Sequence, residues 1–444
     1  MEDKTLQKKG GKIEFLFIGL ALFAMFFGAG NLIFPPDIGV RTGADWFIGF
    51  LAFLIADGGL AVLGVFAMLK ADGDISKVTG VLGDKAGLIL NSAIILCIGP
   101  GLAIPRTAAT TFELGVAPIT GIEATAKLPL AIFSVVFFAI VLVLTIRPSA
   151  VVDIIGKVLT PVLVVAILVM IVVGFINPLN GIVEIPAEHQ LEVVKYGINN
   201  GYQTMDAMAA LFFGIIIINS VKSKGFEGEK AVAGETIKAA VVALILLFVV
   251  YGGLAFLGAT SGSTWMGDVL AGNMNQAGLV IAITQGLLGR GGVILLGVVV
   301  ALACLTTAIA LTSSAAEFFS GVTRFSYETL VVVVCVFSAV VCNLGLSTII
   351  SVAAPVLTLV YPLVVLLIFT TILRKVINKK NAPMFGCIVA LVISACTVLH
   401  DNFGVTACAF AHSLPLDSYG FNWLLPTLVA LVIGMIVPGK KIED

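Results

Sequence analysis

The sequence predicts an all-α polytopic membrane protein with about 12 transmembrane helices, and three observations lead to this prediction. Of the 444 residues, 59% are hydrophobic and only 11% are charged, and the mean hydropathy is +1.13. Soluble proteins carry about 25% charged residues, so this chain has too few charges to cover a surface that faces water. The apolar stretches are continuous instead of alternating, which argues against a transmembrane β-barrel. The net charge of −1 argues against a nucleic-acid partner, and the lipid bilayer is the expected surroundings.

A helix needs about 20 mainly apolar residues to cross the hydrocarbon core of a bilayer. Stretches of this kind occur at 13–37, 46–69, 86–105, 128–146, 151–176, 201–221, 236–259, 291–320, 328–346, 347–373, 383–400 and 421–438. Two longer linkers separate some of them, at 177–200 and 260–290. The second linker contains the amphipathic stretch 266–288, which predicts a helix that lies on the membrane surface.

The distribution of basic residues predicts that both termini are cytoplasmic. With a cytoplasmic N-terminus, every Lys and Arg falls in a cytoplasmic segment except Arg41, Arg106, Lys127, Lys195 and Arg290. Cytoplasmic loops of membrane proteins are enriched in Lys and Arg, so this asymmetry supports both the spans and their direction. Residues 8–30 also resemble a secretory signal peptide, but the apolar stretch resumes directly afterwards, which favours a first transmembrane span.

The first and sixth spans contain residues that interrupt a helix. In the first span, Gly28, Ala29, Gly30 and Asn31 stand in the middle of apolar sequence. Unwound backbone is tolerated in a membrane only where it faces protein or a water-filled cavity, so this segment predicts a ligand site. The alternative is close packing of small residues between helices, although packing does not require the polar Asn31.

The sixth span is interrupted around residues 204–210, where Asp206 is the informative residue. A carboxylate in the middle of a membrane helix costs about 2.5–3.5 kcal/mol, so its presence there indicates a function. If the span begins later, Asp206 is only the first residue of a helix at the water interface. Spans one and six are separated by an even number of spans, which predicts two inverted five-helix repeats. Paired interruptions at corresponding positions of two repeats are typical of the binding site of a transporter.

The eighth span contains a set of oxygen atoms that suits a sodium ion. The Ala303 carbonyl and the hydroxyls of Thr306 and Thr307 share one face of the predicted helix. Neutral oxygens are hard ligands for a hard cation. The alternative is that these threonines only hydrogen-bond back to carbonyls of their own helix, and spacing alone does not decide between the two.

Other polar residues predict less. Asp57 in the second span is a buried carboxylate with no identifiable partner, and a proton-titrating or cation-pairing role for it stays open. Arg106 is expected at the membrane interface or in a structural pair with Glu113, with a place in the lining of the external vestibule as the alternative. The seven cysteines form no CxxC pair, the three histidines have no metal-ligand spacing, and no nucleotide-binding or nucleophile motif occurs in a credible context. The protein is therefore not expected to be an enzyme or to need a cofactor other than a coupling ion.

Several motifs together resemble the bacterial branched-chain amino acid:cation symporters, the BrnQ-type carriers. They are residues 28–36 (GAGNLIFPP), 105–108 (PRTA), 201–206 (GYQTMD) and 316–319 (AEFF), and the resemblance covers nearly the whole chain. It implies import of leucine, isoleucine and valine across a bacterial cell membrane, driven by Na⁺ or by H⁺.

A more distant similarity reaches the sodium-coupled transporters of the LeuT fold, through the first break and the motif at 305–310 (LTTAIA). It implies that the amides of Gly28 to Asn31 receive the substrate carboxylate and that backbone near Met208, Ala209 and Ala210 receives its amine. The implied sodium ligands are the carbonyls of Ala24, Phe27 and Ala303 with the hydroxyls of Thr306 and Thr307. A second sodium site would use Asn31 with Thr204 or Asp206. The third span lacks the tyrosine that this fold often uses to bind the carboxylate.

These observations predict a Na⁺-coupled importer of branched-chain amino acids, with H⁺ coupling or a sensor that binds without translocating as alternatives. Asp206, Met208 and Phe212 are further candidates for the substrate pocket, the last two for its apolar wall. The predicted organisation is a cytoplasmic tail at 1–12, repeats at 13–176 and 201–373, an external linker at 177–200, and two further helices with a cytoplasmic tail at 374–444.

Overall fold

A computed structural model describes residues 13–147, 155–185 and 192–442. Within these ranges the chain forms helices and no β-strand, apart from an isolated bridge between Lys379 and Lys441. The α-helices in chain order are α1 (Glu14–Phe26), α2 (Ala29–Thr42), α3 (Trp46–Leu54), α4 (Leu60–Lys70), α5 (Ile75–Thr79), α6 (Asp84–Leu96), α7 (Ala103–Thr111), α8 (Ala117–Thr120), α9 (Lys127–Thr145), α10 (Thr160–Ile176), α11 (Val193–Thr204), α12 (Asp206–Ser223), α13 (Glu229–Ala259), α14 (Gly262–Leu270), α15 (Gln276–Val322), α16 (Tyr327–Cys342), α17 (Leu346–Ile372), α18 (Asn381–Phe403) and α19 (Leu424–Ile436).

Wider π-helical turns join several of these helices into longer segments. The turns Ile55–Gly59, Cys97–Gly101 and Phe112–Val116 link α3 to α4, α6 to α7 and α7 to α8, and the turn Ile155–Leu159 precedes α10. In the described part of the chain, nine helical segments are long and apolar enough to cross a membrane, and α1, α16 and α19 are shorter apolar helices. The all-α polytopic fold class is confirmed, whereas the number of crossings stays a prediction.

One of the nine segments holds more than one predicted span. Residues 29–70 form 42 helical residues in succession, which would extend about 63 Å at 1.5 Å per residue. The hydrocarbon core is only about 30 Å thick, so this segment must turn. It turns at Gly43, whose φ of +49° suits glycine and which separates the end of the first predicted span from the second.

The two predicted helix breaks are present. The first lies at Phe27 and Gly28, between α1 and α2, where Gly28 is extended with φ −114° and ψ −156°. The second is at Met205, between α11 and α12, where a left-handed φ of +70° ends one helix and starts the next. Both breaks are buried, since Phe27 is 0% and Met205 1% exposed. A break inside the protein rather than against lipid is the arrangement that a membrane tolerates.

The broken helices occupy the centre of the bundle. From Ala21 to Phe34 every side chain of α1 and α2 is buried, as expected for a helix that is apolar on all sides. Helix α2 approaches α13 so closely that a Cβ at Gly258 would lie 2.0 Å from the Pro36 carbonyl oxygen. Small residues at such crossings allow backbones to come together inside a membrane protein. This close crossing places Asn31 beside Tyr251 of α13.

Several predicted boundaries differ from the observed ones. The sixth span was expected from residue 201, but α11 already begins at Val193, because polar side chains in its first turns find partners inside the bundle. Tyr196, for example, donates a hydrogen bond to Asp37. The predicted surface helix 266–288 is divided between α14 and the start of α15, which bends at Gly289 with φ +59° and continues as the eighth span. The predicted tail 1–12 and part of the fifth span, at 151–154, lie outside the described residues.

Candidate functional site

The side chain of Asn31 connects four separate parts of the chain at the two helix breaks. Its Nδ2 atom lies 2.9 Å from Oδ2 of Asp206, 3.3 Å from Oδ2 of Asp57 and 2.5 Å from the hydroxyl oxygen of Tyr251. These partners belong to α12, to the π turn between α3 and α4, and to α13. Together with Thr204, these residues are named the acid cluster.

Thr204 and the backbone of Gly28 complete this cluster. The Thr204 hydroxyl lies 2.6 Å from Oδ1 of Asp57 and 2.6 Å from the Gly201 carbonyl. The backbone N–H of Gly28 donates to Oδ1 of Asn31 at 3.2 Å. Because this N–H can only donate, it sets the direction of the Asn31 amide, whose NH₂ group must then face the carboxylates. No side chain of the cluster is more than 5% exposed.

Arg106 brings a positive charge close to the acid cluster. It is 3% exposed, its Nη1 donates to the Gln203 carbonyl at 2.7 Å, and its charge is attracted by Asp206. The expectation of an interfacial Arg106 is therefore wrong, because α7 carries the side chain into the second break. Glu113, its expected partner, instead accepts a hydrogen bond from Asn275 at 2.9 Å.

The charges in this region do not balance when every group is ionised. Asp57 and Asp206 are two acidic groups that contact the same Asn31 amide, and Arg106 is a basic group near Asp206. Buried charges in proteins need a partner or a hydrogen-bonded environment. The NH₂ of Asn31 and the hydroxyl of Thr204 supply hydrogen bonds to the carboxylates but no positive charge.

A second polar group lies where α15 contacts the end of α1. The Thr306 hydroxyl is 2.9 Å from the Ala24 carbonyl and 2.9 Å from that of Ala303. The Thr307 hydroxyl is 3.3 Å from the Ala24 carbonyl and 3.2 Å from that of Met25. These oxygens are named the hydroxyl cluster. The threonines thus reach across to another helix, and they do not bond only to carbonyls of their own helix.

The hydroxyl cluster contains most of the oxygens expected at a sodium site. Ala24, Ala303, Thr306 and Thr307 are brought together as the sequence suggests, and the Met25 carbonyl is an additional member. Among the hydrogen bonds found in the described residues, the Phe27 carbonyl has no contact with either threonine. Its assignment as a ligand therefore stays a prediction.

A small cavity lies between the two breaks and touches both clusters. Its space is about 20 Å³, which is enough for roughly one water molecule. It is lined by residues from both broken helices and from α7 and α15, namely Met25, Phe26, Gly28, Ala29, Asn31, Ile98, Ala103, Arg106, Thr107, Thr204, Met205, Asp206, Ala209, Phe213, Thr307 and Leu311. In this conformation the cavity is too small to hold a branched-chain amino acid.

Five of the residues expected at the substrate site line this cavity, namely Gly28, Ala29, Asn31, Asp206 and Ala209. The others lie elsewhere within the described chain. Gly30 packs against Arg106 instead, because a Cβ on Gly30 would be 3.1 Å from Nη2 of Arg106.

Helix α12 presents a different aromatic residue to the cavity from the one expected. Phe212 packs edge-on against Phe318 with ring centroids 5.8 Å apart, and Ala210 faces Gly64. Met208 is fully buried and does not line the cavity. Phe213 lines it because Asp206, Ala209 and Phe213 follow the i, i+3, i+7 spacing of one helix face. This spacing was visible in the sequence once Asp206 was taken as the reference.

Comparison with known proteins identifies the family. The family model described as branched-chain amino acid transport protein matches residues 11–441. The chain belongs to this family. It is 35% identical to the branched-chain amino acid permease BraB of Bacillus subtilis, over 97% of each chain. It is also 37% identical to the branched-chain amino acid transport system 2 carrier protein of Pseudomonas aeruginosa, over 95% of each.

Solved structures share the architecture at low sequence identity. A Na⁺-coupled sialic acid symporter in a substrate-bound outward-open state aligns with a TM-score of 0.60 and 13% identity, covering 98% of this chain and 94% of that one. The protein MhsT in complex with L-phenylalanine aligns with a TM-score of 0.52 and 15% identity, covering 96% and 99%. The LeuT-like fold with two broken helices is therefore established for this multi-pass membrane protein.

Proposed function

We propose that this protein imports leucine, isoleucine and valine together with Na⁺ across a bacterial cell membrane, with both termini cytoplasmic. The observation that carries the proposal is the cavity shared by the two helix breaks, which touches the hydroxyl cluster at Thr307. The relatives named as branched-chain amino acid permeases support the choice of substrate. Binding of one substrate and one ion in adjoining sites is the simplest basis for coupling them.

The substrate carboxylate has two groups of donors at the cavity. The N–H group of Ala29, which lines the cavity, is in the first turn of α2, where backbone donors have no partner inside the helix. The N–H group of Gly30 is in the same turn, but Gly30 does not line the cavity in this conformation. Gly28, which was expected to contribute as well, already donates to Asn31. Arg106 lines the same cavity, and its Nε has no hydrogen-bond partner among the described residues. A guanidinium matches a carboxylate with two parallel hydrogen bonds.

The apolar part of the substrate would contact Phe26, Ala209 and Phe213, which line the cavity. The cavity must expand before it admits a leucine side chain, so substrate binding is expected to be coupled to movement of these walls. An apolar pocket gains about 1–3 kcal/mol per methylene, so leucine, isoleucine and valine should compete for one site. Lysine and glutamate should not compete, because their side-chain charges would be buried without a partner.

The hydroxyl cluster is the proposed Na⁺ site. Three carbonyls and two hydroxyls are suitable ligands for Na⁺, and each hydroxyl can turn its hydrogen away when a cation binds. One Na⁺ that crosses a membrane potential of 100 mV releases about 2.3 kcal/mol. A tenfold Na⁺ gradient contributes about 1.4 kcal/mol more. Coupling of one ion to one substrate therefore supports at most several-hundred-fold accumulation. Accumulation well above that limit would exclude a single coupling ion.

Proton coupling is the second candidate, and the acid cluster favours it. Asp57 and Asp206 both contact the Asn31 amide, and Arg106 is the basic side chain that the described residues place near Asp206, so one proton would balance the charge of the two carboxyl groups. The sodium proposal is preferred because the hydroxyl cluster brings five neutral oxygens together beside the cavity, which suits a hard cation. Proton coupling and sodium coupling make different predictions for uptake.

The deciding experiment measures leucine uptake into proteoliposomes with the membrane potential clamped. One set receives an inward Na⁺ gradient at equal pH, and the other receives an inward H⁺ gradient without Na⁺. We expect accumulation only in the first set, and its loss when the gradient is collapsed. Accumulation with H⁺ alone would replace the sodium proposal by the proton one. Binding of leucine without accumulation under either gradient would indicate a sensor.

A further inference from the structure

A cluster of two histidines and a carboxylate lies where the end of α18 meets the following 3₁₀ segment, and it shares no residue with the acid cluster or the hydroxyl cluster. One ligand atom from each of His400, Asp401 and His412 lies within 4.8 Å of the other two. We propose that these three residues bind a divalent transition metal of the Zn²⁺ class. This proposal does not depend on the substrate or on the coupling ion.

The local fold brings the three side chains together. His400 and Asp401 are in the last turn of α18. This helix ends at Phe403 and is followed by Gly404 in the left-handed conformation, with φ +66°. The chain then reverses into the 3₁₀ helix Thr406–Ser413, which carries His412 back against α18. As a result, Nε2 of His412 is 2.8 Å from Oδ1 of Asp401, and the two imidazole rings have centroids 5.1 Å apart.

Both histidines already have the outer partners that metal ligands usually have. Nδ1 of His412 faces Oδ1 of Asp417 at 3.1 Å, and Nδ1 of His400 faces the Val405 carbonyl at 3.4 Å. A metal-binding histidine normally donates its second ring N–H to a carboxylate or a backbone carbonyl, which sets the tautomer. In both residues this leaves Nε2 as the atom available for a metal.

The number and type of ligands favour Zn²⁺ over Mg²⁺ or Ca²⁺. Two imidazoles and a carboxylate are the donors that Zn²⁺ binds, with a water molecule in the remaining position, whereas the other two ions prefer oxygen alone. The site is open to solvent, because the side chains of His412 and Asp401 are 32% and 49% exposed. Metal entry therefore requires no opening of the bundle.

The site also has a structural connection to the second broken helix. Asp417 is the outer partner of His412, and its Oδ2 atom lies 3.7 Å from Nζ of Lys195 on α11. Asp401, His412 and Asp417 line a cavity of about 230 Å³ whose other walls include Tyr202 and Gln203, near the end of α11. A bound metal would stabilise the 3₁₀ segment against α18 and would hold Asp417 in place beside α11.

The competing interpretation is that His412 is a doubly protonated imidazolium, hydrogen-bonded to Asp401 on one side and Asp417 on the other. The test uses purified protein without a histidine tag, titrated with Co²⁺ and then with Zn²⁺. We expect the visible absorption of four-coordinate Co²⁺, and its displacement by one equivalent of Zn²⁺. Absence of this absorption would support the imidazolium and would overturn the proposal.

Variants assign the binding to these residues. His412→Ala and His400→Gln each remove a ligand and should weaken Zn²⁺ binding by more than about 100-fold, since loss of an outer partner alone costs about 10–100-fold. Asp417→Ala, which removes only the outer partner, should fall within that smaller range. His189→Ala alters the histidine that is not part of the proposed site and should leave Zn²⁺ binding unchanged. Thermal melting without metal shows which variants fold. If His412→Ala does not fold, His400→Gln still tests the assignment. Equal losses in His189→Ala would contradict the assignment.

Discussion

The hydroxyl cluster uses carbonyls of α1, before the first helix break, and the acid cluster uses Asn31 of α2, after it. The two clusters differ in charge and in hydrogen bonding. In the acid cluster, an amide NH₂ and a hydroxyl donate to two carboxylates. In the hydroxyl cluster, two threonines face backbone carbonyls and carry no charge. The threonine hydroxyls can turn their hydrogens away and leave their oxygens free for a cation, whereas the NH₂ group of Asn31 directs hydrogens at the carboxylates and has no lone pair to offer.

This difference indicates that the more acidic region is not necessarily the better cation site. The direction of one amide, set by the Gly28 N–H, makes the acid cluster a connection between four parts of the chain. Gly28 also contacts the other cluster, since a Cβ on it would lie 2.9 Å from Oγ1 of Thr307. The two clusters are therefore connected through one residue, and the predictions below test how separate their roles are.

Removal of the Asn31 side chain should have the largest effect. Asn31→Ala leaves two buried carboxylates without their shared donor, which should lower stability by about 3–5 kcal/mol and abolish uptake. Asn91→Ala removes a buried amide that donates to Thr79 at 3.0 Å, and it should cost only about 1 kcal/mol. Melting in detergent and leucine uptake measure both effects. Adding Asp57→Asn to Asn31→Ala should restore part of the stability, and no recovery would show that charge is not the cause.

Replacement of Arg106 by lysine tests whether Arg106, next to the acid cluster, binds the substrate carboxylate. Lysine keeps the charge but lacks the planar pair of donors, so leucine affinity should fall by about 1.5–3 kcal/mol, or about 10–150-fold. Sodium affinity measured without substrate should hardly change. Arg290→Lys, at an exposed position of α15, is the matched control. Unchanged leucine binding in Arg106→Lys would indicate that Arg106 only supports the Gln203 carbonyl.

The reverse result is expected for the hydroxyl cluster. Thr307→Ala removes one of the proposed Na⁺ ligands and should weaken Na⁺ binding by about 1.5–3 kcal/mol, whereas Thr307→Ser keeps the hydroxyl and should be milder. Leucine binding should weaken in parallel at limiting Na⁺ and recover partly at saturation, because linkage is reciprocal. Thr312→Ala, a buried threonine of the same helix, should leave Na⁺ dependence unchanged. Wild-type Na⁺ dependence in Thr307→Ala would show that Thr307 has only a structural role.

Gly28→Ala tests the connection between the two clusters. The added methyl would lie too close to Thr307, and overpacking of this kind costs about 1–3 kcal/mol. We expect weaker binding of both Na⁺ and leucine in ion and substrate titrations. Gly234→Ala places a methyl in open space on α13 and should be neutral. A loss confined to one of the two ligands would show that the clusters act separately.

The smallest effect is expected at the apolar wall. Phe213→Leu changes a residue that lines the cavity and should alter the preference among leucine, isoleucine and valine by about 1 kcal/mol. Phe212→Leu, at a position that packs against Phe318, should leave this preference unchanged. Competition assays with the three amino acids distinguish the two variants. A changed preference in Phe212→Leu alone would support the expectation from the sequence that Phe212 forms the apolar wall of the substrate pocket.

The helix breaks could be predicted because their causes are local. Glycines at positions 28 and 30 and the polar run that ends at Asp206 weaken a helix whatever surrounds them. The fold class followed from composition. Helical spacing placed Thr306 and Thr307 on one face with the Ala303 carbonyl, but only the resemblance to the LeuT fold favoured a sodium site there. The start of α11 could not be predicted, because its polar residues suit a membrane helix only when the bundle supplies their partners.

The sequence by itself determined where the helices run and where they are interrupted, because apolar length and backbone propensity act within a few neighbouring residues. Only the tertiary structure decided the partners of the polar side chains. Asn31 meets Asp57, Asp206 and Tyr251 across separations of 26, 175 and 220 residues. Arg106 reaches the second break, and His412 folds back on Asp401, for the same reason. Which polar groups meet depends on how helices pack, and buried groups must find partners wherever the packing places them.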